Sequence, residues 1–353
     1  MSMLKEPETV SVGIVTYNSR SCIERCLTSL SAQTYPLHEV VIIDNHSADG
    51  TADLIAQRWP QYCLAVNKRN VGFGRAHNQA IALTTGTYYM PLNPDVFLSP
   101  GYVEAMVRML KSDPDVGWVS GKLLFADVEG VPTGQIYSVG HAVFPDGYAI
   151  NIGFKQTDGL EYSNVREVFG ANGAAPLYWR QMLEDVQASP GDVFDETIFL
   201  YGEDVDLDWR ARLLGWRCLY TPDAIAYHVH GVSGGDQQTE VVREITANRY
   251  YMVFKNNFLV DVLTYNLPTF IGHSLFMLVT EPRRGIATVR SVLRRADEIV
   301  RRRRWMAQRR KLNRNQFRTW FAWSKRQRGE QPTTYLTRFW RERIARQARE
   351  ARD

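Results

Sequence analysis

Glu203, Asp204 and Asp206 place three carboxylates within four residues, between Ile198-Phe199-Leu200-Tyr201 and the apolar Leu207 and Trp209. Charged groups in an apolar setting are costly unless they are paired. At a helix N-terminus the backbone dipole favours them, and a carboxylate held there can take the proton of a sugar hydroxyl as a general base. A solvated acidic helix cap fits the same residues. Neighbouring helical side chains diverge by about 100°, so only one of Glu203 and Asp204 is expected to face an acceptor. Asp95, in Asn93-Pro94-Asp95-Val96, offers a hard oxygen to Mg²⁺ or Mn²⁺, which would neutralise a leaving diphosphate; a plain Pro-Asp turn is the alternative. At most one of His228 and His230 is expected at a metal, and both also suit a structural role. Asp44 could accept hydrogen bonds from a nucleotide base or ribose, or cap the helix that follows. In Asn70-Val71-Gly72-Phe73-Gly74-Arg75, glycines open a helix where the backbone can approach a phosphate; a tight strand-to-helix turn uses the same residues.

These residues need elements to position them. Val10–Thr16, Glu39–Asp44, Tyr62–Val66 and Thr87–Leu92 are short apolar or β-branched runs, predicted as strands. Between them lie Ser21–Ala32, with Ile23, Leu27 and Leu30 at helical spacing, the helix Ala52–Arg58 and the Gly-rich start and helical continuation of Val71–Leu83. Alternating β and α units predict a parallel sheet covered on both faces. Ligands of such sheets sit beyond the carboxyl ends of the strands, where Asp44 and Asp95 fall. Residues 120–170 lack periodicity and are predicted to be an irregular or antiparallel insertion. Phe194–Tyr220 is strongly patterned again. From Arg283 to about Phe321, Ile286, Val289, Leu293 and Val300 recur at helical spacing with arginines on the other faces, predicting a basic amphipathic helix.

Charge is divided along the chain. From Arg283 onward 23 lysines and arginines stand against 6 aspartates and glutamates; the preceding residues hold 19 against 32. An acidic body with a basic tail points to a polyanionic partner. Arg301–Arg304 with Trp305, Phe317, Trp320 and Trp323 could stack on nucleic acid, but a lipid-facing or solvated helix suits them better. The first residues show no leader pattern. Phe258–Val279 is interrupted by Asp261, Asn266, Pro268 and His273 and reads as interfacial or buried rather than spanning. Cys22, Cys26, Cys63 and Cys218 form no C-x-x-C pair, which suits a reduced cytoplasmic protein.

Together and in this order, Val10–Ser19, VIIDNHSADGT (41–51), NVGFGRAHNQAI (70–81), NPDV (93–96), GANGAAPLYWRQM (170–182), FDETIFLYGEDVDLDWRARLLGWR (194–217) and YHVHG (227–231) resemble the catalytic domain of glycosyltransferase family 2. They are similar in particular to its bacterial rhamnosyltransferase-like branch. The resemblance covers roughly residues 10–260 and implies an α/β GT-A fold, a Rossmann-like nucleotide-diphospho-sugar transferase domain over 1–260. Residues 261–353 are then a C-terminal basic amphipathic helical extension that associates with membrane. By resemblance, Thr16, Tyr17, Asn18, Asp44, Asn70, Gly72, Phe73, Gly74, Asn78, Asn93, Asp95, Gly173 and Arg210 bind the nucleotide-sugar. Asp204 is the base beside Glu203, and Asp95 with His228 or His230 reaches Mg²⁺ or Mn²⁺. Asn93 replaces the first acid of the family's DxD, leaving Asp95 as its sole carboxylate.

The resemblance also implies a dTDP- or UDP-sugar donor, dTDP-L-rhamnose foremost, and a lipid-linked saccharide acceptor. The site is expected to be cytoplasmic, peripheral on the inner face of the cell membrane, with a homo-oligomer possible. A sugar nucleotidyltransferase would want a Gly-rich basic loop after the first strand, where this chain has Thr16-Tyr17-Asn18-Ser19.

Overall fold

A computed structural model describes residues 8–229 and 238–322. The β-branched run at the start forms strand β1 (Val10–Thr16), buried along its length. It pairs in parallel with β2 (Leu37–Asp44) and β4 (Tyr88–Leu92), and β2 pairs in parallel with β3 (Cys63–Val66). Helices α1 (Ile23–Ser31), α2 (Thr51–Arg58) and α3 (Phe73–Ala82) connect them. Alternate residues of one strand enter different cores. Val40 and Ile42 pack with Ile23, Leu27 and Ile55, whereas Val41 and Ile43 pack with Ala76 and Ala80. That alternation is what a sheet covered on both faces requires.

The sheet continues through β5 (Val96–Leu98), helix α4 (Tyr102–Leu110), β6 (Val116–Ala126), β7 (Pro132–Ser138), β10 (Arg166–Val168), β11 (Leu177–Trp179), helix α5 (Arg180–Asp185), helix α6 (Glu203–Leu213) and β12 (Arg217–His228). Its order is β10-β12-β6-β11-β4-β1-β2-β3, with β5 on β12 and β7 on β6. The stretch without periodicity is antiparallel where it is regular: β7 runs back along β6, and β8 (His141–Val143) pairs with β9 (Ala149–Asn151).

The C-terminal region departs from the expectation of one amphipathic helix. Helix α7 (Gln238–Asn256) leads to α8 (Leu259–Thr280), α9 (Pro282–Arg294), α10 (Ala296–Arg309) and α11 (Arg314–Arg318). After α10 the backbone turns to donate from Lys311 N to Leu213 O at 2.9 Å, and Asn313 with Gln316 forms a capping box that starts α11. The turn delivers Phe317 and Phe321 to Phe169 and Trp209, ring on ring. The division expected at residue 260 therefore runs through one hydrophobic cluster. Several arginines read as solvated are instead held by the acidic body. Arg302 contacts Asp192 (2.7 Å) and Asp195 (3.2 Å), Arg295 contacts Glu244 (2.9 Å), and Arg314 contacts Asp261 (2.6 Å). Arg283, Arg290, Arg294, Arg301 and Arg304 remain exposed. Helix α8 is long and apolar enough to cross a membrane by length and composition, and it turns Leu259, Val260, Leu263, Ile271, Leu275 and Val279 outward.

Candidate active site

The parallel register sets the carboxyl ends of β1, β2 and β4 together, and a cavity of about 530 Å³ opens beyond them. One wall comes from the donor-side turns: Tyr17, Ser19, Asn45, Asn70, Gly72 and Phe73. Asn45 organises that wall, donating to Asn70 Oδ1 (2.8 Å) and accepting from Val71 N (2.9 Å). Gly72 has φ +88°, and a Cβ there would stand 2.6 Å from Phe199 O. Only glycine lets this turn close against the loop that precedes α6.

At the cavity floor the turn between β4 and β5 presents Asn93 and Asp95. Asp95 Oδ1 lies 3.2 Å from His228 Nε2, at the end of β12. The antiparallel pairing of β5 with β12 fixes that approach, His228 opposite Val96. Asn93 Oδ1 is buried, with no hydrogen-bond partner among the described residues. A carboxylate, an imidazole and an amide oxygen suit Mg²⁺ or Mn²⁺ that completes its shell with phosphate and water oxygens. Among the described residues no group of three His, Cys, Asp or Glu could hold a metal alone. No lysine or arginine lines the cavity among those residues. His230 lies outside the described residues.

The opposite wall is the start of α6. Asp204 Oδ2 accepts from Gly173 N (3.0 Å), and its Oδ1 accepts from Val205 N (2.8 Å). Glu203 is more deeply set, with Oε2 buried and without a partner among the described residues. Burial, then the neighbouring Asp204, push the Glu203 carboxyl up to about 8. Both residues line the cavity. The cavity wraps the end of the helix, so consecutive side chains of the first turn reach it from different directions.

Other expected nucleotide-sugar residues support the site without lining it. Asp44 is fully buried; it accepts from Thr16 Oγ1 (2.8 Å), Ser47 Oγ (2.6 Å) and Ser47 N (2.9 Å), tying β1 to the turn after β2. Asn18 accepts from Ala48 N (2.8 Å). Gly74 packs a Cβ's distance from Phe194, and Asn78 exchanges hydrogen bonds of 2.9 Å with the Phe194 backbone. Arg210 is 2% exposed and bound to Asp206 and to the carbonyls of Val186 and Val193, facing away from the cavity. An arginine so enclosed is structural. Residues the sequence did not signal are Tyr137, His141 and Asn151, all in the cavity wall. They come from the antiparallel insertion, where no periodicity marks them. Asp208 was missed as well; its place four residues after Asp204, on the same helix face, is the signal that could have found it.

A nucleotide-type sheet whose strand ends open on an aspartate–histidine pair, faced by a carboxylate at a helix start, is the arrangement of a GT-A sugar transferase. A solved structure described as GalNAc-T7 with UDP, GalNAc and Mn²⁺ shares the fold, with TM-score 0.57 and 16% identity over 71% of this chain and 48% of that one. Residues 11–160 match the sequence profile of glycosyl transferase family 2. An N-acetylglucosaminyl-diphospho-decaprenol L-rhamnosyltransferase of Mycobacterium tuberculosis is 30% identical over 65% of this chain and 78% of its own length. A poly-beta-1,6-N-acetyl-D-glucosamine synthase of Staphylococcus aureus is 25% identical over 63% of this chain and 50% of its own. The chain belongs to glycosyltransferase family 2 and is a glycosyltransferase. All four cysteines are free.

Proposed function

We propose that the chain is an inverting transferase that moves a sugar from a nucleotide-sugar to a hydroxyl of a lipid-linked saccharide at the cytoplasmic face of a membrane, in cell-envelope glycan synthesis. L-Rhamnose from dTDP-L-rhamnose is the first candidate, by likeness to the mycobacterial relative; a UDP-hexose is the second. The observation that carries this reading is Asp204, a carboxylate at a helix start in the wall of a cavity whose floor holds Asp95 and His228. The acceptor hydroxyl gives its proton to Asp204, its oxygen attacks the anomeric carbon from the side opposite the diphosphate, and the bond from that carbon to the diphosphate oxygen breaks. One displacement inverts the anomeric configuration. Asp95 and His228 would hold Mg²⁺ or Mn²⁺, which when bound offsets the charge of the leaving diphosphate. The purified protein should transfer rhamnose from dTDP-L-rhamnose to a polyprenyl-diphosphate N-acetylglucosamine with Mg²⁺ present, lose transfer in EDTA, and yield inverted product by NMR. Retained configuration, or full activity in EDTA, would overturn the mechanism; transfer from UDP-hexoses alone would move the donor assignment to the second candidate.

Membrane docking is supported by the outward apolar face of α8 together with the exposed arginines of α9 and α10. Each basic residue near an anionic surface contributes roughly 1 kcal/mol. Because residues 282–322 share the protein's core, the test is substitution within the full chain. Leu263→Glu with Leu275→Glu should release the protein from phosphatidylglycerol vesicles in co-sedimentation while leaving its melting temperature in place. Undiminished pelleting in moderate salt would exclude α8 as the anchor.

A further inference from the structure

We propose that His141 is a positioning residue for Asp204, holding the base in place through a His141–Asp208 pair behind it. This rests on Asp204 as the base. His141 stands at the head of β8, its backbone clamped to the segment before Asn172: His141 N donates to Gly170 O (2.8 Å), and Phe169 N donates to His141 O (3.2 Å). The ring enters the cavity wall with one nitrogen, Nδ1, 2.9 Å from Asp208 Oδ2 and the other, Nε2, 3.7 Å from Asp204 Oδ2. Asp204 and Asp208 lie one helical turn apart on the same face of α6, so the imidazole spans that turn. The same Asp204 oxygen also accepts from Gly173 N. A Cβ at Gly170 would stand 1.8 Å from Asp208 Oδ2, so glycine there is what admits the Asp208 carboxylate to the ring.

The chemistry follows from what else faces the ring. Asp204 and Asp208 are the nearest charges, with Glu203 beyond Asp204 and the Arg212 guanidinium beyond Asp208. The phenol of Tyr178 on β11 and the thiol of Cys218 on β12 are buried alongside and are pushed well up, so they stay neutral. Burial pulls His141 down, but Asp204 and Asp208 together carry it above its ordinary value. Burial lifts Asp208 to about 6, against the pull of His141. A protonated ring donates to Asp208 and turns its second N–H toward Asp204. It therefore favours Asp204 as the carboxylate that can accept the sugar hydroxyl's proton, and fixes which oxygen points into the cavity. Nothing is transferred to His141 in the reaction.

The test is the pH profile of kcat, using the donor and acceptor that the wild-type protein turns over. H141N keeps a donor toward Asp208 but removes the cation from Asp204. It should lower kcat about 10–100-fold, the size of loss known for the hydrogen-bond partners that orient metal-ligating side chains. With the cation beside the reacting carboxylate removed, the acidic limb should move to higher pH. Calorimetry with free dTDP and UDP should show unchanged affinity. D208N should shift the limb in the same direction by less. An unchanged kcat in H141N, or a lowered kcat with the acidic limb in its wild-type place, would overturn the inference. If H141N no longer binds nucleotide, the fold is lost and D208N decides by the same two readouts. D204N separates the two claims: inactive D204N beside normal H141N removes only the positioning role, whereas active D204N removes the base assignment and this inference with it.

Discussion

Helix α6 carries acids on two faces that meet opposite treatment. Toward α7 and α10, Asp206 is fully buried; it accepts from Lys255 (2.8 Å), Asn256 (2.7 Å) and Arg210 (2.9 Å). Lys255 also pairs with Asp195, which accepts from Tyr251 (2.7 Å) and meets Arg302. Burial alone would raise the Asp206 carboxyl, but Lys255 and Arg210 hold it below its ordinary value. Toward the cavity, Asp204 and Asp208 share the His141 imidazole, Asp204 accepts from Gly173 N, and Glu203 adjoins Asp204. Position in sequence separates these acids by a residue or two, and neither propensity nor charge distinguishes them. What differs is how many cations the fold brings. Acids that are matched by cations lock the C-terminal helices onto α6. Acids left under-compensated are the ones whose protonation can change during a reaction.

Two substitutions break this comparison from either side. Asp204→Asn keeps the shape and an oxygen for Gly173 N but cannot accept a proton. Transfer should fall about 10²–10⁴-fold, the contribution of a positioned base, with nucleotide affinity unchanged by calorimetry and stability equal to or above wild type. A near-normal rate would strip the cavity face of its chemistry. On the other face, Lys255→Met leaves Asp195 and Asp206 buried with too few cations. Loss of one partner from a buried pair should destabilise the fold by about 3–5 kcal/mol in urea unfolding, while kcat of the folded protein holds. If instead stability held and kcat collapsed, the paired face would be part of the reaction.

Legibility in the sequence followed the same division. The parallel half was readable because buried strands are apolar runs with little ambiguity: Val10–Thr16 is a strand over the expected residues, and Glu39–Asp44 needed only the addition of Leu37 and His38. Asp204, Asp95 and the Gly72 turn were readable as polar residues directly after such runs. His141 was not, because it sits on a three-residue strand whose partner is a hairpin ten residues on, too short for any period to emerge. The C-terminal arginines were misread in part because helical periodicity identifies a polar face but not what will meet it. Arg295, Arg302 and Arg314 find their acids at Glu244, Asp192, Asp195 and Asp261 only once the chain has folded back.

The smallest expected effect sharpens the comparison most, because it concerns a residue adjacent to the base. Glu203 is held to about 8, first by burial and then by Asp204, so at pH 7 it is mostly the neutral acid. Glu203→Gln replaces that neutral acid by a neutral amide of the same shape. Near pH 7 its kcat should stay close to wild type, unlike that of Asp204→Asn. The two enzymes should part as pH rises through about 8, where Glu203 ionises in the wild type. A second negative charge then stands beside Asp204 and faces the donor diphosphate, so wild-type activity should decline on that limb while Glu203→Gln keeps its rate. Stability gives an independent reading of the same group. A carboxyl whose folded value is raised lets the native state hold a proton that the unfolded chain releases near 4.5. Its contribution is therefore full below that pH and is lost progressively up to about 8. Glu203→Gln should gain stability relative to wild type across that window and gain no more above it, in urea midpoints measured from pH 5 to 9. Loss of activity at pH 7 in Glu203→Gln, with Asp204→Asn active, would exchange the roles of the two carboxylates. A wild-type alkaline limb that persists in Glu203→Gln would assign that limb to another group, and with it the claim that an unpaired neighbour tunes the base.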